Sequence, residues 1–385
     1  MKDETRLIHT GRRPAAHSGA VNVPVYRAST IIHPTVAALE AGNQEFTYGR
    51  RGTPTTRGLE ASICALEAGS RTALTPSGLS ACTAALMSVL KAGDHLLMVD
   101  TVYGPTRIFC KTTLKDFGVS TTYYAPGTTP DALHALMQPN TKAVFLESPG
   151  SGTFEVQDLP ALAAVAHAGG ASVLVDNTWA TPLLCKPLLL GADLSINAAT
   201  KYIVGHADAL LGTITANETH VARMMDFHGR FGLTVSGDDA YLGQRGLRTM
   251  AIRLARHQET ALKLAAWFSA RPEVTRVLYP ALPADPGHAL WKRDFRGASG
   301  LFGVELKPCA QSAVAAMLDG FELFGMGWSW GGFESLAVTT KIVRKIDGGY
   351  RPAGPLLRFH AGLEDADDLI ADLATGFDRL NGATP

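Results

Sequence analysis

Ala171-Ser172-Val173-Leu174-Val175-Asp176-Asn177 is the stretch on which the fold turns. Its apolar run is short and unbroken, the pattern of a strand covered on both faces in a parallel sheet. Two upstream runs share that pattern, His95-Leu96-Leu97-Met98-Val99 and Ala143-Val144-Phe145-Leu146. Between them, Ser77–Leu90 and Leu159–His167 carry helical character. Strand alternating with helix over roughly 150 residues predicts a doubly wound α/β domain with a mostly parallel sheet.

Toward the N-terminus the pattern becomes regular at Arg57, where Leu59, Ile63 and Leu66 share a helical face and Gly69 supplies a stop. Residues 1–55 lack periodicity and are rich in Gly, Pro, Arg and Thr, which predicts an arm packed on another subunit. Toward the C-terminus, Arg245–Ala270 predicts a long helix, followed by a proline-rich connection over Tyr279–Pro286. Leu301–Leu306 and Leu356–His360 read as strands. In the last helix, Glu364 and Asp365 are expected in the first turn, where acids suit the dipole. Leu369, Leu373, Phe377 and Leu380 form its apolar stripe. The expected division is an arm (1–55), a large α/β domain (56–250) and a smaller α+β domain (251–385), without internal repeats.

Apolar side chains make up 46% and charged ones 18%, which fits a sizeable core and excludes a disordered chain. The 35 basic and 35 acidic residues cancel, so the basic footprint of a nucleic-acid binder is missing. No stretch nears the roughly 18 apolar residues of a membrane span. Met1–Arg6 carries mixed charge and no apolar core, so no secretory signal is expected. The five cysteines are scattered and form no C-x-x-C pair, which predicts reduced thiols in a cytoplasmic protein. No set of ligating residues has metal spacing and no G-x-G-x-x-G follows a strand, so neither a metal nor a dinucleotide is expected.

Asp176 closes the strand quoted first, and Lys201 follows in Ser195-Ile-Asn-Ala-Ala-Thr-Lys-Tyr-Ile-Val-Gly-His206. A strand-end carboxylate and a lysine in a small-residue loop suit a cofactor held by an acid and an amine. Pyridoxal 5′-phosphate (PLP) needs both: an amine to bond its aldehyde, and an anion to keep its ring nitrogen protonated. Ala198, Ala199, Ile203 and Val204 surround Lys201 with apolar bulk, which would lower its pKa and let it react as a free amine. Thr75-Pro-Ser-Gly-Leu-Ser80 opens a helix whose free N–H groups suit an anion, with Gly78 permitting close approach. Thr200 adds a hydroxyl suited to a phosphate oxygen, and Tyr103 a ring able to stack on a flat cofactor. Arg358, inside an apolar strand, needs an anion, and a substrate carboxylate fits its fork. Each has a plainer reading when taken alone: an ordinary N-cap at Ser77, a turn cap at Asp176, a solvated lysine, a loop aromatic, an internal salt bridge at Arg358. His206 and the other histidines have no partner spacing and read as structural.

With these residues in place, the chain resembles the Cys/Met-metabolism PLP enzymes of fold type I, nearly end to end from Tyr48-Gly-Arg50 to Gly362-Leu-Glu-Asp365. Ala199–His206, Val175-Asp-Asn-Thr-Trp179 and Trp328-Ser-Trp-Gly-Gly-Phe-Glu-Ser335 carry the resemblance most specifically. It implies a mostly parallel seven-stranded sheet in a large domain and a smaller α+β C-terminal domain. It further implies Lys201 as the covalent anchor of PLP, Asp176 as partner of the ring nitrogen, and Tyr103 as the stacking ring. Gly78, Leu79 and Thr200 would bind the phosphate, with Tyr48 and Arg50 reaching the phosphate of a neighbouring subunit. Arg358 and Ser329 would hold the substrate α-carboxylate, with Trp330 beside them. A homo-oligomer follows, usually a tetramer built as a dimer of dimers.

Three departures from the family pattern stand out. Ala198-Ala-Thr-Lys201 replaces the usual S-x-T-K, Leu79 replaces a frequent Met, and Glu147-Ser-Pro-Gly-Ser151 lacks the Asn of γ-acting relatives. The last, together with Trp330 after Ser329, favours α,β-elimination from the small amino acid L-cystathionine. A γ-acting relative and a PLP-fold binding protein are the alternatives.

Overall fold

The computed structural model describes residues 1–347 and 349–382. Gly348 and residues 383–385 of the expected C-terminal domain lie outside it. Seven strands form the larger sheet: β1 (Arg71–Thr75), β2 (His95–Val99), β3 (Ser120–Tyr124), β4 (Thr141–Glu147), β5 (Ser172–Asp176), β6 (Leu194–Asn197) and β7 (Gly212–Ala216). Their order is β1-β7-β6-β5-β4-β2-β3. The run from β6 to β3 is parallel, whereas β7 is antiparallel to both neighbours, so the sheet is mostly parallel as expected. Every residue of β2 is buried, as is all of β5 but Ser172, which is why these strands read as unbroken apolar runs. Parallel β2, β4 and β5 bring their C-terminal ends to one edge, where open α/β sheets bind ligands. There Glu147 and Asp176 are register partners.

A second, antiparallel sheet holds β8 (Val274–Leu278), β9 (Leu301–Leu306), β10 (Leu336–Thr339) and β11 (Leu356–His360) in the order β10-β11-β9-β8. A 33-residue helix, Gly237–Ser269, packs against β8 and β9 and also against the helix Pro54–Glu67 beside the larger sheet. It starts well before the expected Arg245. Ser236 caps it by accepting from the Asp239 N–H, and Asp238 and Asp239 occupy its first turn. Gly243 and Gly246, poor helix formers, mask this opening half in the sequence.

Two other boundaries differ from expectation. The helix Pro54–Glu67 ends on Ala68, which takes the left-handed conformation (φ 55°) in place of Gly69. The last helix is Ala366–Gly382, so its first-turn acids are Asp367 and Asp368. Glu364 precedes it and accepts from both the N–H and the hydroxyl of Ser335. The stripe Leu369, Leu373, Phe377 and Leu380 is buried as expected. Within residues 1–55, the helix Asp3–His9 folds back on its own chain: Leu7 is fully buried, and Arg248 donates to the carbonyls of Leu7 and Thr10. Val21, Ile32, Val36, Leu39 and Tyr48 of the same region stay exposed.

Candidate active site

Lys201 lies in the turn that follows β6, held by its N–H on the Ala198 carbonyl (3.0 Å) and by the Gly205 N–H on its own carbonyl (2.7 Å). Ala199, Ile203 and Val204 are buried around it as the apolar bulk of the loop predicted, Ala198 is half-buried, and Tyr202 is buried beside them. Its Nζ donates to Ser329 Oγ at 2.9 Å and lies 5.1 Å from the Trp330 ring centroid. Burial, followed by the nearby Arg358 charge, pushes the amine down to about 8, against an opposing pull from Asp176. This lysine is therefore largely desolvated and gives up its proton far more readily than a free lysine, though it is still mostly protonated at pH 7.

Asp176 ends β5 and is buried. Its Oδ1 accepts from the Thr178 N–H (3.0 Å) and hydroxyl (2.5 Å), so the turn-cap reading holds for that oxygen. Among the described residues, Oδ2 receives only the Cys82 thiol, at 3.5 Å. Burial raises the carboxyl's pKa, partly offset by the Thr178 donors. Thr178 was not foreseen, yet its hydroxyl also accepts from the Ala198 N–H (2.8 Å) and so ties Asp176 to the lysine loop. The only sequence signal for it is the Asp-x-Thr spacing of an Asx turn.

The helix Gly78–Val89 starts beside that loop, with Ser77 as its cap. A Cβ on Gly78 would lie 2.3 Å from the Ala198 Cβ, so only glycine lets the helix start lie against the lysine loop. First-turn N–H groups such as those of Gly78 and Leu79 have no partner within a helix. The Thr200 hydroxyl donates to the Leu211 carbonyl (3.1 Å) and accepts from the Leu211 N–H (2.8 Å). To donate to a phosphate it must release that carbonyl.

Tyr103 follows β2 and is 45% exposed. Its N–H donates to Glu147 Oε2 at 2.6 Å. Glu147, a second functional candidate that sequence reasoning missed, has its pKa raised well above the usual range by burial and by Asp176. In the sequence it shows only as the first residue of the Glu-Ser-Pro run. Arg358 sits mid-strand in β11 and donates to the carbonyls of Gly327, Trp328 and Ser329, each at 3.2 Å. Among the described residues no carboxylate pairs with it, so the salt-bridge reading falls and its guanidinium charge is left without a counter-ion.

Tyr48 and Arg50 are not drawn into this cluster. Arg50 donates to the Gly229 carbonyl (3.0 Å) and lines a separate hollow with Arg51, Met225 and His228. Among the described residues, no three metal-ligating side chains converge and no helix is long and apolar enough to cross a membrane.

The arrangement can bond an aldehyde at Lys201, hold a protonated ring nitrogen at Asp176, and take an anion at Gly78–Leu79 and another at Arg358. Comparison with known proteins points the same way. The profile of the Cys/Met metabolism PLP-dependent enzymes matches residues 4–378. The chain is 50% identical over 377 residues to a Rhizobium johnstonii protein provisionally called a cystathionine β-lyase, covering 97% of this chain and 95% of that one. It is 43% identical over 391 residues to cystathionine β-lyase of Escherichia coli, covering 98% and 99%. The crystal structure of cystathionine γ-lyase from Lactobacillus plantarum complexed with L-serine superposes with a TM-score of 0.92 at 30% identity, covering 99% and 100%.

Proposed function

Because this chain belongs to the Cys/Met metabolism PLP-dependent enzymes, we propose that it cleaves L-cystathionine by α,β-elimination, giving homocysteine, pyruvate and ammonia. The observation that carries the reading is Lys201: a desolvated amine, pushed down to about 8, hydrogen-bonded to Ser329 and near the unpaired Arg358. PLP fits the residues present. Asp176 Oδ2 has acceptor capacity to spare in a dry setting, and the Gly78 helix start abuts the lysine loop.

When bound, PLP withdraws electrons from the substrate Cα and makes its proton removable. Lys201 would hold the cofactor's aldehyde carbon through its amine and, when free, would take the substrate Cα proton as general base. It would then return a proton to the homocysteine sulfur as the Cβ–S bond breaks, and water would release the remaining three-carbon fragment as pyruvate and ammonia. Asp176 would keep the ring nitrogen protonated, Tyr103 would stack on the ring, and Gly78, Leu79 and Thr200 would bind the phosphate. Arg358 and Ser329 grip the substrate α-carboxylate, orienting the Cα–H bond toward Lys201, with Trp330 closing that side. Tyr48 and Arg50 serve the phosphate of a neighbouring subunit, in a cytoplasmic homotetramer. The chain divides into the arm 1–55, the cofactor domain 56–250 and the C-terminal domain 251–385.

The likeness to a γ-lyase structure sustains α,γ-elimination as the second reading. Incubation with L-cystathionine distinguishes them. Pyruvate with homocysteine is the expected outcome; 2-oxobutyrate with cysteine would transfer the chain to the γ-acting enzymes.

A further inference from the structure

One buried side chain behind the lysine has no part in the scheme above. His360 ends β11, two residues beyond Arg358, so both project from the same face of the strand. Both reach the same segment. Arg358 holds the carbonyls of residues 327–329, while His360 Nε2 accepts from the Gly331 N–H at 3.0 Å. On its other side, His360 Nδ1 faces the Glu334 carbonyl at 3.1 Å. An amide can only donate and a carbonyl can only accept, so these two partners fix the ring as the neutral Nδ1–H tautomer.

The segment held in this way is the one that meets Lys201. Gly331 has φ 85°, and a Cβ there would lie 2.9 Å from the Lys201 carbonyl carbon and the Tyr202 nitrogen. Two residues earlier, Ser329 accepts from the Lys201 amine. Behind the clasp, the Tyr202 ring lies 5.8 Å from His360 and 5.4 Å from Trp330, and the His257 ring lies 5.1 Å from His360. The groups facing His360 are His257, Tyr202, Arg358 and Lys201, none of them an anion. Burial first, then His257, holds its pKa well below the usual histidine range, so the ring stays neutral and the Gly331 bond persists in mild acid.

A core position needs no imidazole for packing alone, since an apolar ring fills the same volume. We infer that His360 is a positioning residue: it clasps the backbone of residues 331–334 over the lysine turn and thereby sets where Ser329 and Trp330 stand relative to the Lys201 amine. The inference rests on the reading of Lys201 as the cofactor anchor.

The test uses the holoenzyme with His360→Phe, which removes both bonds, and His360→Gln, whose amide can supply an acceptor and a donor. Amide hydrogen exchange should find the 329–335 segment protected in the parent enzyme, loosened by Phe and largely restored by Gln. In the Phe variant KM should rise and kcat/KM should fall about 10²-fold. The midpoint of the pH titration of the cofactor's visible absorbance, which reports on Lys201, should also move; Gln should recover most of both. A folded Phe variant with unchanged exchange, midpoint and KM would overturn the inference. Should Phe fail to fold, fast exchange at Gly331 in the parent enzyme would overturn it equally. If borohydride traps no cofactor on Lys201 of the parent, it is the anchor reading that fails, while the exchange data still judge the clasp.

Discussion

Two buried aspartates sit at opposite ends of the central strands β5 and β6, and they are satisfied to different degrees. Asp193, just before β6, accepts from the Val173 N–H (2.7 Å), His167 Nε2 (2.9 Å) and Asn217 Nδ2 (2.8 Å), with His220 Nδ1 at 3.5 Å. Three nitrogen donors reach it, two on Oδ2 and one on Oδ1, so both oxygens are held by strong partners. Asp176, at the other end, gives Oδ1 to Thr178 and leaves Oδ2 with a thiol, a weak donor at long range. One acid is used up by the protein itself. The other keeps an acceptor for something that arrives later. Burial alone does not separate a structural acid from a ligand-binding one; the strength of the donor on each oxygen does.

The largest effect expected lies next to the unsatisfied acid. Lys201→Ala should abolish borohydride trapping and lower turnover by about 10⁴-fold or more, measured as pyruvate release. Swapping each acid tests the contrast itself. Asp176→Asn should cost roughly 10²-fold in kcat and leave urea stability nearly unchanged. Asp193→Asn should cost about 2–3 kcal/mol of stability, because donors aimed at it lose partners, while kcat of the folded fraction holds. Equal stability losses at both positions would erase the distinction.

A smaller effect concerns pH. The Lys201 amine is lowered to about 8 in the folded chain, so below that value the neutral form falls about tenfold per pH unit. The rate at which apoenzyme takes up PLP should climb with pH and level off above about 8. Between that value and the ordinary lysine range the unfolded chain binds more protons, so this group makes apoenzyme stability rise with pH there. A flat uptake profile from pH 6 to 9 would contradict the desolvated amine. Thr178→Val should have the mildest effect, an about fivefold loss of turnover from freeing Asp176 and the Ala198 N–H, equivalent to about 1 kcal/mol.

Much of this was legible in the chain. Lys201, Asp176 and Arg358 are legible because each is a polar residue set in apolar sequence, and a continuous apolar run is enough to identify β2, β4 and β5. What escaped depends on contacts remote in sequence. The antiparallel insertion of β7 has no local marker. Glu147 and His360 look like ordinary strand-end residues until the Tyr103 amide and the Gly331 amide are seen to meet them. The early start of the helix Gly237–Ser269 was hidden by glycines, and the acids at 364 and 365 were shifted off the last helix because Glu364 is taken by Ser335.

At about 1.5 Å per residue, the helix Gly237–Ser269 is a spar some 50 Å long, fastened to the neighbourhoods of both sheets. Folding the two halves apart like a clam would mean snapping its ladder of amide bonds in mid-span. The lysine loop and the segment 327–334 that meets it are thus mounted on a frame tied together by one unbroken helix.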